Sequence, residues 1–278
     1  MSIYCYISGG YMTVYSSFEI PVDYHRQSDA IYCGSACVQM ILSTVVGDLE
    51  AGDIEKWWVQ ETIDNGLLYQ EKKIYGEDTT LEAPPKAVAK YLNQKIRQKR
   101  HPQINNSIAD LKEYTVSDAL DSTREALVRK IAWTLSQCKY PVPILRYLVE
   151  IKDDTQETKK KTTHWVVIKG YLANKEIESI EDTAFQVKAF FVYDPNPKLA
   201  ITEEERQKGI TPYVGDPHVA EDCAQFLDIK AQNGLFVPEY SASPQDLLGY
   251  YTWSAGNWDF NICVILPDFE ATLITSNK

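Results

Sequence analysis

Up to Tyr140, apolar positions recur with the spacing of helices. From about Ser35 to Val46, the positions Ala36, Val38, Met40, Ile41 and Val45 predict a mostly buried helix, ended by Gly47-Asp48. Pro84-Pro85 followed by Val88, Tyr91, Leu92 and Ile96 predicts a second helix. Proline suits its start, because the first turn has no use for that N–H. Ser122-Thr123-Arg124-Glu125 has capping-box spacing. Behind it Leu127, Ile131, Leu135 and Cys138 share one helical face. Residues 13–22 read as an extended segment closed by Pro21.

After Tyr140 the period changes. Val142 to Val149, His164 to Leu172 and Val187 to Tyr193 are short apolar runs rich in β-branched and aromatic residues, hence strands. The charged stretches Lys152 to Thr163 and Lys175 to Thr183 read as exposed turns of an antiparallel meander, and Ile262 to Leu266 adds a further strand. A mainly helical first half and a mainly β second half predict α+β architecture.

Composition narrows the classes of function. The 278 residues are 44% hydrophobic and 24% charged, an ordinary globular balance that leaves no room for a collagen-like or disordered chain. With 28 basic against 39 acidic residues the net charge is −11, which repels phosphate backbones; no nucleic-acid partner is expected. No window approaches the roughly 18 continuous apolar residues of a membrane helix, and the N-terminus lacks a basic n-region. Six scattered cysteines (Cys5, Cys33, Cys37, Cys138, Cys223, Cys263) form no repeated CxxC pairs, and they suit a reducing, cytoplasmic setting better than a disulfide scaffold. Four histidines, none at zinc spacing, imply no metal or other cofactor.

The informative stretch runs from Tyr24 to Cys37, YHRQSDAIYCGSAC. The thiolate is the reactive form of cysteine, and a helix N-terminus or a neighbouring imidazolium favours it. Cys33 stands where the first helix should begin, and Gly34 lets the backbone turn tightly there. Attack on a carbonyl also needs donors aimed at the developing oxyanion. Gln27, six residues earlier, can supply its side-chain amide beside the Cys33 backbone N–H. In His164-Trp165-Val166-Val167 a histidine opens a strand, held as a general base must be. In Phe191-Val192-Tyr193-Asp194-Pro195 a strand ends on a carboxylate, which can fix the tautomer of that imidazole.

These residues resemble the papain-like cysteine peptidases, closest to the C39-like and AvrRpt2-like branches. The shared pattern is Gln27, then Cys33-Gly34, a long helix, His164 on a strand and Asp194-Pro195 after another. It covers roughly residues 20 to 197. The resemblance implies a papain-like α+β fold in which a helical lobe carries Cys33 and a β lobe carries His164 and Asp194. It also implies an N-terminal extended segment over 1–20 and a catalytic domain over 21–278, with an insertion at about 49–115 and a C-terminal extension from about 198. Gln27, Cys33, His164 and Asp194 would serve the oxyanion, the nucleophile, the base and its orientation. The interval from Cys33 to His164 is longer than in bacteriocin-processing C39 domains. Those domains usually front an export transporter, and with neither membrane helices nor a Walker-type phosphate loop in this sequence, double-glycine leader cleavage does not follow.

Each residue has a rival reading. Cys37, one turn after Cys33, is expected in the core. Asn196 and Asp216-Pro217-His218 compete with Asp194, and His25 and Trp165 could line a cleft. Gly9-Gly10 looks like a processing site but reads more simply as a linker, and Asn105-Asn106-Ser107 fits a glycosylation sequon without secretory context. The expected activity is hydrolysis of a peptide or isopeptide bond through an acyl-enzyme, with a peptide or protein as substrate. An acyltransferase using the same residues, a secreted effector and a non-enzymatic peptide-binding module are the alternatives.

Overall fold

A computed structural model describes residues 2–8, 11–27, 32–46, 70–73, 79–99, 110–116, 121–151, 158–196, 201–209, 229–232, 235–238, 240–248 and 262–269. Its helices and antiparallel strands make an α+β protein. The chain opens with a hairpin, β1 (Ser2–Ser8) and β2 (Tyr11–Glu19), followed by helix α1 (Cys33–Val46). A small ladder, β3 (Gln70–Lys73) with β4 (Thr79–Glu82), precedes α2 (Pro85–Lys99), β5 (Leu111–Val116) and α3 (Asp121–Cys138). The meander β6 (Val142–Ile151), β7 (Thr158–Ala173) and β8 (Val187–Tyr193) comes next. Then come β9 (Ile201–Thr202), α4 (Glu203–Gln207), β10 (Ile229–Gln232), β11 (Leu235–Pro238), β12 (Tyr240–Ala242), α5 (Pro244–Leu247) and β13 (Ile262–Pro267).

The long strand β7 organises the main sheet, whose order is β1-β2-β7-β6-β13-β5. β6 pairs with β7 through Ile168, β2 takes over from Gly170, and β8 runs along it from Val167 to Ala173. The β7–β8 register shifts between Ile168 and Gly170, so Lys169 is the bulged residue. Bulges bend a strand and re-aim side chains. Gly170 is required at this crossing. A Cβ there would collide with the Phe18 carbonyl oxygen and lie 2.8 Å from the Phe191 ring.

α1 is buried on nearly every face from Cys33 to Leu42, as expected of a helix that is apolar all round. It packs on β7, β6 and α2. Met40, Ile41 and Leu42 of α1, Tyr91 and Leu92 of α2, Ile131 and Leu135 of α3, and Val166, Phe190 and Val264 of the sheet are fully enclosed. Trp165 Nε1 donates to the Ala83 carbonyl at 3.0 Å, fastening the approach to α2 onto β7. Among the described residues no helix is long and apolar enough to cross a membrane.

Several elements differ from their sequence-based expectations. The segment expected to be merely extended is a hairpin that joins the main sheet through Ser16–Glu19. The first half also contributes β5, and β13 lies between β5 and β6, so the sheet draws on both halves of the chain. α3 begins at Asp121, which places Ser122 inside the helix rather than at its boundary. A capping box is formed instead at Thr202-Glu203-Glu204-Glu205, where the same S/T-x-x-E spacing opens α4. β7 begins at Thr158, because the ladder to β6 continues back to Ile151, and His164 is therefore interior to its strand. Gly9-Gly10, Asn105-Asn106-Ser107 and Asp216-Pro217-His218 lie outside the described residues.

Candidate active site

Three elements meet at the start of α1. Cys33 is the first residue of that helix and is 8% exposed. Ser35 Oγ donates to the Tyr32 carbonyl at 2.9 Å, and the Ala36 N–H donates to it at 3.0 Å, tightening the first turn. Gly34 is needed beside it. A Cβ at this position would stand 2.8 Å from Ala83 Cβ and 3.3 Å from Trp165 Cδ1, so only glycine lets α1 approach β7 this closely.

His164 projects from β7 three residues before the first β7–β8 pair, Val167 with Tyr193, and Asp194 directly follows β8. The two meet, with His164 Nε2 2.6 Å from Asp194 Oδ1. The Asn196 backbone N–H donates to the same oxygen at 2.9 Å, which adds support to the carboxylate. The Cys33 thiol is a close enough neighbour of His164 to favour its charged form. Burial of the ring disfavours the imidazolium, but the Asp194 charge and hydrogen bond, with a smaller contribution from Cys33, outweigh it and raise the His164 pKa to about 10.

Gln27 belongs to an irregular segment and is 5% exposed. Its backbone N–H donates to the Pro195 carbonyl at 2.9 Å, which sets it beside the turn that carries Asp194. Thus His164, Asp194 and the backbone of Gln27, distant in sequence, come together, with Cys33 a neighbour of His164.

The other candidates have different surroundings. Trp165 is 2% exposed and occupied with Ala83, which is a packing role. His25 is half-buried, and its burial lowers its pKa against the opposing charge of Asp23. Cys37 is 1% exposed, and burial, then the neighbouring Cys33 and Asp194, push its thiol well above the ordinary value. Among the described residues, Cys33, Cys37 and Cys138 are free thiols. A groove of about 680 Å³ between α2 and β5 is lined by Lys86, Lys90, Asn93 and Arg97 among others, and by none of the residues at Cys33.

Two neighbours carried no role in the sequence reading. Tyr24, 1% exposed, donates its hydroxyl to the Asp194 carbonyl at 2.8 Å and sets its ring edge-on to Tyr193, with 5.3 Å between centroids. Burial raises its pKa, and the Asp194 charge adds to that. A signal existed, since Ile20, Val22 and Tyr24 alternate with exposed Pro21 and Asp23 in the period of an extended segment. Lys169, 2% exposed, pairs with Glu19 and lies 4.3 Å from the centroid of the Tyr193 ring.

This chain belongs to the Peptidase_C39 like family, whose model matches residues 19–211, well over half of the sequence. The membership supports cysteine peptidase activity towards a peptide or protein substrate, and it fits the papain-like, C39-like resemblance of Gln27, Cys33-Gly34, His164 and Asp194. No curated protein and no solved structure matches the chain.

Proposed function

We propose that this protein is a papain-like cysteine peptidase that cleaves a peptide or isopeptide bond through an acyl-enzyme, with Cys33, His164 and Asp194 as its triad. The observation that carries the reading is the 2.6 Å contact between His164 Nε2 and Asp194 Oδ1, made beside the first residue of α1. With Nε2 committed to the carboxylate, Nδ1 is the nitrogen left to serve the Cys33 thiol. Cys33 Sγ, its proton held on His164, attacks the substrate carbonyl. Collapse of the tetrahedral adduct passes that proton to the departing amine and leaves a thioester. His164 then takes a proton from water, which attacks the thioester and frees the acid and Cys33. Asp194 keeps the imidazole in the working tautomer and stabilises the imidazolium. The Gln27 amide and the Cys33 backbone N–H would hold the oxyanion.

Residues 21–278 are read as one catalytic domain, supported by β12 pairing with β8 and β13 lying within the main sheet. A reducing, cytoplasmic setting would keep the nucleophile a free thiol. The test is a quenched-fluorescence peptide library digested by the wild type and by Cys33→Ala. Cleavage that disappears in the variant supports the reading, and cleavage retained in full rejects it.

A further inference from the structure

A side chain that stabilises an oxyanion must be held to within about half an ångström. Gln27 sits in a segment, residues 20–27, that no helix or strand fixes. Its placement must therefore come from tertiary ties. Besides the Ile20 N–H bonded to the Lys169 carbonyl at 2.8 Å, two ties reach the residues just after β8 and a third reaches α4. The Tyr24 hydroxyl takes the Asp194 carbonyl, the Gln27 N–H takes the Pro195 carbonyl, and the Arg26 guanidinium grips Glu205 with two hydrogen bonds of 2.8 and 3.2 Å.

The last of these ends on a carboxylate that is itself fixed. Glu205 closes the capping box of α4, accepting from the Thr202 N–H at 2.7 Å while its own N–H donates to Thr202 Oγ1 at 3.1 Å. Thr202 in turn pairs with Leu235 through β9 and β11. An acceptor preorganised in this way suits the planar fork of an arginine, and a bidentate pair fixes orientation as well as distance. Arg26 immediately precedes Gln27. A guanidinium held on Glu205 therefore fixes the backbone from which the buried Gln27 side chain departs.

We propose that Arg26 and Glu205 are positioning residues for the oxyanion site, acting through Gln27. The inference rests on the peptidase reading and assigns a task to the stretch that follows Asp194. The Arg26–Glu205 pair hydrogen-bonds to neither Cys33 nor His164, so its loss should impair reactions that build an oxyanion and spare those that do not.

Two small probes separate these. p-Nitrophenyl acetate acylates a thiol through a tetrahedral oxyanion and releases p-nitrophenolate. Iodoacetamide alkylates the same sulfur at a saturated carbon, with iodide leaving and no oxyanion formed. Rates at Cys33 would be measured for the wild type, Arg26→Ala, Glu205→Gln and the control Glu204→Gln, whose native carboxylate pairs with Lys208. Glu205→Gln keeps an oxygen for the Thr202 N–H, so the cap survives. Acylation should fall about tenfold in Arg26→Ala and in Glu205→Gln, less than the roughly hundredfold of losing a donor outright. Alkylation should stay within about twofold, as should both rates in Glu204→Gln. An unchanged ratio of the two rates, whether both hold or both fall together, overturns the assignment. A wild type in which Cys33 reacts with neither probe overturns the peptidase reading, and this inference with it.

Discussion

Cys33 and Cys37 lie one turn apart on α1, and both are buried. Their surroundings differ. Cys33 stands at the end of the helix, beside an imidazole that Asp194 holds protonated. Cys37 lies a turn deeper in the apolar core, where burial pushes its thiol well above the usual range. On the proposed peptidase reading, burial alone does not decide which of the two thiols reacts; the imidazole beside Cys33 does.

The sharpest way to break this comparison is to remove each thiol in turn. Cys33→Ala should lower peptide cleavage by at least about a thousandfold with the fold intact. Cys37→Ala should keep cleavage within a few-fold and instead cost about 1–2 kcal/mol in urea unfolding, the loss expected of a small cavity. Steady-state rates and unfolding curves of both variants check the pair. Next in size, Asp194→Asn should reduce kcat/KM by about a hundredfold to ten-thousandfold, since the amide no longer holds the imidazole in its working state.

The pH dependence sharpens the same contrast. His164 titrates near 10 in the folded protein, against about 6.5 for an unperturbed imidazole. Protonation of His164 thus favours the fold. Its contribution is complete below about pH 6.5 and is lost as pH rises from there through about 10. Unfolding midpoints of the wild type compared with His164→Ala should converge across that window. The alkaline limb of Cys33 acylation should lie near pH 10 and move down in Asp194→Asn. A smaller effect is expected at Gly34. A methyl group there meets Ala83 and Trp165, so Gly34→Ala should cost about 1–3 kcal/mol, measured by urea unfolding.

Much of the candidate site was legible because the proposed chemistry constrains residue type. A Gln, a Cys-Gly at a helix start, a strand histidine and a carboxylate after a strand are each read from local pattern. Their meeting is long-range and is supplied by the sheet, in which β7 carries His164 and β8 delivers Asp194. Helices α1, α2 and α3 were likewise visible from their periodicity. The hairpin β1–β2 and strand β5 were not. β2 is a mixed run, YMTVYSSFE, and β5, LKEYTV, carries two charges in six residues. Both owe their state to partners distant in sequence, β7 for one and β13 for the other. Arg26 and Glu205 escaped notice for the same reason, since nothing local links residues 179 apart.

The most direct test of the account compares the thiols in the folded protein. Limiting iodoacetamide at about pH 6, where an ordinary thiol is almost wholly protonated, would be followed by mass spectrometry of every cysteine in the wild type and in His164→Ala. The account predicts selective labelling of Cys33, sharply reduced in the variant, with Cys37 protected until the chain unfolds. Labelling of Cys33 no faster than that of Cys138 and Cys263, or unaffected by the loss of His164, would contradict it.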